Sequence, residues 1–398
     1  MLLRLSLLLL CALTLYAQQP LDRAWQLAAN GQRAEAMQLL EQLIRSNPKD
    51  ADARLLLGSL LMEDGKQAES IAQLKAAVQL RPQSEIAQNA LGEAYLHFGE
   101  TKPARAAFAR AVALKPDYGI AQSNLGQTLL AAGEVPEAAK HLDRAIALLG
   151  RTDDAADAYY LRAKAYTLAS DPQHAAQELE QAVAIRPQFA EAWSDLGQAR
   201  KMLLNDAGAL AAFEHAVSAD PHDAVAQYRL GAEYLRQRKP GPAVEHLRQA
   251  SQLNPEDQST LNSLQMALRE NGDAAAADRV KQQLAGLLRQ RDQINQNKLA
   301  AIKLNNEGAA LEKNGDLPAA LEKYRAASAL DPQHTGIRTN YGVALLRLGH
   351  WQEGLDQLHT ALVQTPNDGH LRAVIKDALA QVPPALMPAW GHEIQRPQ

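Results

Sequence analysis

The chain has 398 residues, 46% apolar and 22% charged, with a net charge of −4. That length suits two or three ordinary domains or one long repeat array. The pI near 6.3 lacks the basic character, above about 9, of a duplex-binding domain, so no nucleic acid is expected as a partner. Aromatics are only 5%, which favours helices packed closely through small side chains.

The first residues, MLLRLSLLLLCALTLYAQQ, carry Arg4 as a positive start, an apolar core from Leu5 to Leu15 and a cleavage-type Leu15-Tyr16-Ala17. This is the layout of an export signal, and its core falls short of the roughly 17–25 residues of a comfortable span. A signal over residues 1–17 and an exported mature chain without a membrane span are expected, in the periplasm or cell envelope if the source is bacterial. An uncleaved N-terminal anchor is the main alternative. Acylation at Cys11 is disfavoured by Leu10, where such signals carry a small residue. Cys11 is the only cysteine, so the processed chain has no disulfide, thiol catalyst or cysteine metal site.

Prolines set the period of the remainder. Pro48, Pro82 and Pro116 are 34 apart, as are Pro187, Pro221 and Pro255, and again Pro332 and Pro366. Gly31, Gly65, Gly99 and Gly133 keep the same step half a period out of phase. Each period holds two amphipathic helices. The first ends at a glycine suited to the left-handed C′ position. The second often has a proline in its first turn, as at Pro103, Pro136, Pro172, Pro242 and Pro318, where the missing N–H costs nothing.

Within the first helices, Gly58, Gly92, Gly126, Gly197, Gly231, Gly308 and Gly342 recur in register. A mid-helix glycine costs about 1 kcal/mol against alanine, so its recurrence points to close helix approach. Ala104, Ala138, Ala175, Ala209, Ala243 and Ala320 mark the matching contact on the second helix. Phe108, Leu142, Leu179, Phe213, Leu247 and Tyr324 follow four residues later, on the same face. Leu91-Gly92, Tyr95, Ala104, Phe108 and Pro116, repeated from about 20 to 382, resemble the tetratricopeptide repeat. The resemblance implies an all-α, right-handed superhelical solenoid of stacked antiparallel helix pairs, with the first helices lining a concave face.

Breaks in the period place the joints. Between Pro116 and Pro187 three extra residues appear in GRTDDAAD, read as a longer turn capped by Thr152 or Asp153. Between Pro255 and Pro332 nine extra residues appear. A long helix at about 278–314 is expected to join an N-terminal array (18–289, about eight helix pairs, the last degenerate) to a C-terminal array with a capping helix (290–382). Gly286 and the polar run 289–298 make it either a hinge or one rigid degenerate repeat. Residues 383–398 are proline-rich and read as a disordered tail rather than a helix; an extended segment with Trp390 docked on the last helix is the other reading.

No G-x-S-x-G, GxGxxG, G-x-x-x-x-G-K-[ST] or H-E-x-x-H motif occurs. His141, His246, His350 and His359 read as exposed second-helix residues rather than metal ligands, so no enzyme, cofactor or metal is expected. By the resemblance, the concave surface is the site, and it presents Asn89, Glu93, His97, Ser123, Asn124, Gln127, Tyr160, Lys164, Ser194, Asp195, Gln198, Lys201, Tyr228, Arg229 and Arg236. Amides, tyrosines and long cations suit an extended peptide segment of a partner protein. Lys164, Lys201, Arg229 and Arg236 suit an acidic segment or a terminal carboxylate. The family's carboxylate clamp is not expected, because Tyr160, Asp195 and Val225 stand where lysine, asparagine and lysine are needed. The reading is an interaction scaffold in the cell envelope. Its alternative is a non-catalytic accessory subunit of a polysaccharide-secretion or glycosyl-transfer machine, with sugar held by Tyr160, Tyr228 and Trp193.

Overall fold

The computed structural model describes residues 20–365 and 368–395. The expected signal at 1–17 and the period proline Pro366 lie outside them. Among the described residues the chain is all-α, with no strand, and no helix is long and apolar enough to cross a membrane.

It divides into two units, Met1–Gly272 and Asp273–Gln398. The first holds α1 (20–29), α2 (Arg33–Ser46), α3 (Ala51–Glu63), α4 (Gln67–Leu80), α5 (Glu85–His97), α6 (Thr101–Leu114), α7 (Gly119–Ala131) and α8 (Val135–Leu149). It continues with α9 (Asp153–Leu168), α10 (Pro172–Ile185), α11 (Ala190–Met202), α12 (Asp206–Ala219), α13 (Ala224–Arg236), α14 (Pro240–Leu253) and α15 (Gln258–Glu270). The second holds α16 (Ala274–Lys313), α17 (Leu317–Leu330), α18 (Thr335–Arg347), α19 (Trp351–Gln364), α20 (Gly369–Leu379), a 3-10 turn (Pro384–Leu386) and α21 (Ala389–Gln395). The division falls earlier than residue 289 because α16 runs unbroken through that point.

In the first unit each first helix from α3 to α13 packs tightly on the second helix that follows it, and the second helix meets the next pair; in the second unit α16 packs on α17 and α18 on α19. The small residues permit this. A Cβ built on Gly92 would stand 2.5 Å from the Phe108 ring, and one on Gly197 2.4 Å from Phe213. Gly58, Gly126, Gly231, Gly308 and Gly342 meet Leu74, Leu142, Leu247, Tyr324 and Leu358 in the same way. The alanines at 104, 138, 175, 209, 243 and 320 are wholly buried. Where Ser70 replaces that alanine, its hydroxyl donates to Gly58 O at 2.7 Å, so the buried polar atom is satisfied.

The turns divide into two kinds. Gly31, Gly65, Gly99 and Gly133 adopt φ between 72° and 77°, the left-handed C′ conformation. Ser170, Leu204 and Arg238 take the same place after α9, α11 and α13 with φ of 58° to 60°, where a side chain costs about 1–2 kcal/mol.

The period prolines have a second use. Gln122 Nε2 donates to Pro116 O at 2.8 Å, and its Oε1 lies 2.7 Å from His141 Nδ1. Gln227, Pro221 and His246 repeat the clamp at 2.9 Å for both contacts. Arg54 makes it with Pro48 O and Gln73, and Arg338 with Pro332 O and Gln357. Trp193 Nε1 reaches Pro187 O at 2.8 Å and stacks on His215. His141 and His246 are therefore half-buried structural pins, not exposed residues; burial pushes both imidazoles below their usual value. His350 and His359 are exposed.

Two further expectations need correction. Thr152 stands at the N-cap of α9, but its hydroxyl turns back to Leu149 O at 3.0 Å and caps nothing. The described part of the C-terminal stretch, up to residue 395, is not a disordered tail: it forms the 3-10 turn and α21. The prolines flank these short helices or occupy their first turn, where they are tolerated. Met387, Trp390 and Ile394 bury against the core of α19 and α20, with Trp390 stacked on His359 at 5.1 Å between ring centroids.

Candidate functional site

The inner wall of the first unit is built from the first helices of successive pairs. Hydrogen bonds join neighbouring first helices at a constant offset of one repeat plus one residue. Asn124 Nδ2 donates to Asn89 Oδ1 at 3.0 Å. Tyr160 Oη donates to Asp195 Oδ2 at 3.2 Å, and Arg229 Nη1 donates to Ser194 Oγ at 2.7 Å. The offset of 35 residues puts each donor and acceptor on facing turns of adjacent helices.

The α5–α7 part of the wall closes on itself. Asn89 and Asn124 both donate to Glu93 Oε1, at 2.8 and 3.2 Å, and Asn89 and Ser123 are buried. Burial pushes the Glu93 carboxyl above its ordinary value despite the two amide donors, which pull it down. His97 is exposed and meets Phe98 edge-on.

The α9–α13 part is different. Asp153 and Asp157 grip Arg186, with contacts of 2.7–3.1 Å. The guanidinium lies 4.7 Å from the Phe189 ring centre, and Phe189 packs on Tyr160 at 4.9 Å. Asp153, one of the two residues expected to cap α9, thus joins Asp157 in propping up the wall. Tyr160 is held between Phe189, Asp195 and the Lys164 ammonium, which lies 5.2 Å from its ring centre. Burial first, then the Asp195 charge, pushes the phenol well above its ordinary value, so it stays a neutral donor.

Beside it opens a trough of about 720 Å³. Gln127, Lys164, Asp195, Gln198 and Arg229 line it, five of the expected groove residues from four different helices. Its apolar wall is Leu130, Leu161, Leu168 and Met202, with Leu168 62% and Met202 60% exposed to solvent. These four were not among the expected site residues. The available signal was that Leu168 and Met202 lie 34 residues apart, at the ends of first helices and off the packing positions. A smaller hollow of about 460 Å³ shares Asp195 and Arg229 with it and is further lined by Tyr160, Ser194 and the exposed Val225.

The four expected cations are not equivalent. Arg229 is paired with Asp195 at 2.9 Å. Arg236 is paired with Asp206 and Glu233, each at 2.5 Å. Among the described residues Lys164 and Lys201 are exposed and make no ion pair. Tyr228 is half-buried. No group of three or more His, Cys, Asp or Glu among the described residues is placed to hold a metal.

Family models for the tetratricopeptide repeat match residues 21–85 and 68–119, 117–188, and 311–378, together more than half of the chain. The chain belongs to the tetratricopeptide repeat family. No curated protein matches its sequence. Among solved structures, this tetratricopeptide repeat protein is similar to YrrB, described as having an unusual peptide-binding site, at 20% identity over 48% of this chain and 96% of that one, with a TM-score of 0.39. It is also similar to PilF of Pseudomonas aeruginosa, at 16% identity over 54% of this chain and 98% of that one, with a TM-score of 0.49. PilW, a type IV pilus biogenesis factor, gives 18% identity with the same coverages and TM-score. The repeats support a protein–protein interaction scaffold.

Proposed function

We propose that the first unit is a non-enzymatic scaffold that holds an extended peptide segment of a partner protein in the α7–α13 trough. The observation that carries this reading is the pairing of exposed Leu168 and Met202 with unpaired Lys164, Gln127 and Gln198 around one cavity. An apolar anchor of the peptide fills the space between α7, α9 and α11. The glutamines meet its backbone amides, and Lys164 and Lys201 meet a carboxylate. Arg229 lines the trough with its guanidinium held by Asp195 and Ser194, and so fixes the wall against which the guest lies. The export signal-like pattern of residues 1–17 supports a location in the cell envelope, as part of the same proposal.

The saccharide reading draws less support, because Trp193 is committed to Pro187 and His215, and Tyr160 to Asp195 and Phe189. The experiment is selection of peptides from a random display library on the purified chain, followed by titration against variants. Leu168→Asp and the double variant Lys164→Glu, Lys201→Glu are expected to weaken the selected peptides at least about tenfold, roughly 1.4 kcal/mol, with unchanged circular dichroism. Equal affinity in all three proteins refutes the trough as the site.

A further inference from the structure

Over the 40 residues of α16, only Ala276, Ala277, Ala301 and Gly308 are buried. A helix of this length ordinarily owes its stability to an apolar face packed against a neighbour. The C-terminal part of α16 has one: it packs on α17, and a Cβ on Gly308 would strike Tyr324. Between Ala277 and Ala301 no residue is buried.

That stretch, half-buried at Val280, Leu284 and Leu287 and exposed at Ile294, nevertheless carries a seam. Val280, Leu284, Leu287 and Ile294 lie on one line of the helix, with Ala277 and Ala301 at its ends. The steps alternate between three and four residues, the repeat by which one helix keeps facing another. Two steps of the same line are cationic, Arg291 and Lys298, one heptad apart. Ile294 is 46% exposed; beside the line, Leu299 and Ile302 are 70% and 43% exposed. Residues 278–303 hold six cations and two carboxylates, in a chain whose net charge is −4.

Charge decides among the occupants. A second copy of α16 brings the same positive excess and no carboxylate on its seam, so the two repel. Residues 1–19 contain no Asp or Glu and offer Lys298 nothing. A bilayer surface favours cations on the rim of an apolar face, whereas Lys298 sits within the seam and would be pressed into hydrocarbon. A helix bearing a carboxylate opposite Lys298 satisfies both features, and a polar pair at one seam position also fixes register.

We infer that this face of α16 docks an acidic amphipathic helix of a partner protein, with apolar residues meeting Val280, Leu284, Leu287 and Ile294 and a carboxylate meeting Lys298. The site is separate from the trough and does not depend on it.

The test uses the full chain and three probes: a fluorescent synthetic helix of about three heptads with leucine along its seam and glutamate opposite Lys298, the same peptide with lysine there, and phosphatidylglycerol vesicles. Anisotropy titration should show binding of the glutamate peptide, about tenfold weaker binding of the lysine peptide, and reversal of that preference in Lys298→Glu. Ile294→Glu should abolish binding of both peptides while circular dichroism is unchanged. Equal binding of the two peptides, no reversal in Lys298→Glu, or capture by vesicles but not by the glutamate peptide overturns the inference. So does a dimer in sedimentation velocity that Ile294→Glu dissolves, because the occupant is then a second copy.

Discussion

The inner wall of the first unit changes character between α5–α7 and α9–α13. In the former, Asn89, Asn124 and Glu93 use their polar atoms on one another, and the turns at Gly99 and Gly133 are relaxed. In the latter, two lysines stay unpaired, apolar side chains face solvent, and Ser170, Leu204 and Arg238 hold strained turns. The same packing code thus supports one stretch optimised for its own stability and another that leaves binding capacity exposed. Strain and open apolar surface gathered in one place are expected where a protein works rather than merely stands.

The largest expected effect comes from the packing that both regions share. Phe108→Ala and Phe213→Ala should each cost about 3–5 kcal/mol in urea denaturation, because each ring fills the notch of a glycine on its partner helix. A large inequality between them would mean that the packing, and not only the wall, differs. The second comes from removing matched wall residues. Asn124→Ala withdraws a donor from the buried side of Glu93 and should cost about 1–3 kcal/mol. Lys164→Ala, on an exposed side chain, should stay within about 0.5 kcal/mol. Equal losses would remove the distinction drawn here.

A smaller effect concerns the turns. Leu204→Gly should stabilise the chain by about 1 kcal/mol, and Gly99→Ala should cost about as much, both read from thermal or chemical unfolding. The least effect is on pH dependence. The Glu93 carboxyl titrates above its ordinary value when folded, so the folded state holds that proton more firmly than the unfolded chain does. Its charge costs stability at neutral pH, and the cost disappears as pH falls through the folded value toward the unfolded one. Glu93→Gln should therefore unfold at a higher temperature than the parent near neutral pH and lose that advantage by about pH 4.

The stack was legible because its code is local and volumetric: Gly92, Ala104 and Phe108 announce a notch, a contact and a filler at fixed offsets. The site was legible only in part. Arg229 reads as a free cation because its partner, Asp195, lies one repeat away in sequence and nothing local signals the pairing; for Arg236 the Asp206 contact is equally remote, although Glu233 three residues earlier was a local sign. Leu168 and Met202 were passed over because an apolar helix residue reads as core unless its face is known. The C-terminal prolines suggest a bar to any helix, yet at a first turn or just outside a helix they forbid nothing.

The clamp running from Pro116 O through Gln122 to His141 has an evolutionary corollary. Every bond in it begins and ends inside a single hairpin and the loop before it. A genetic duplication or deletion of one whole hairpin therefore carries its own fastening with it and orphans no partner elsewhere. Lineages of such a chain can lengthen or shorten by unit steps, acquiring or shedding recognition surface, with only the bonds between neighbouring first helices left to be remade.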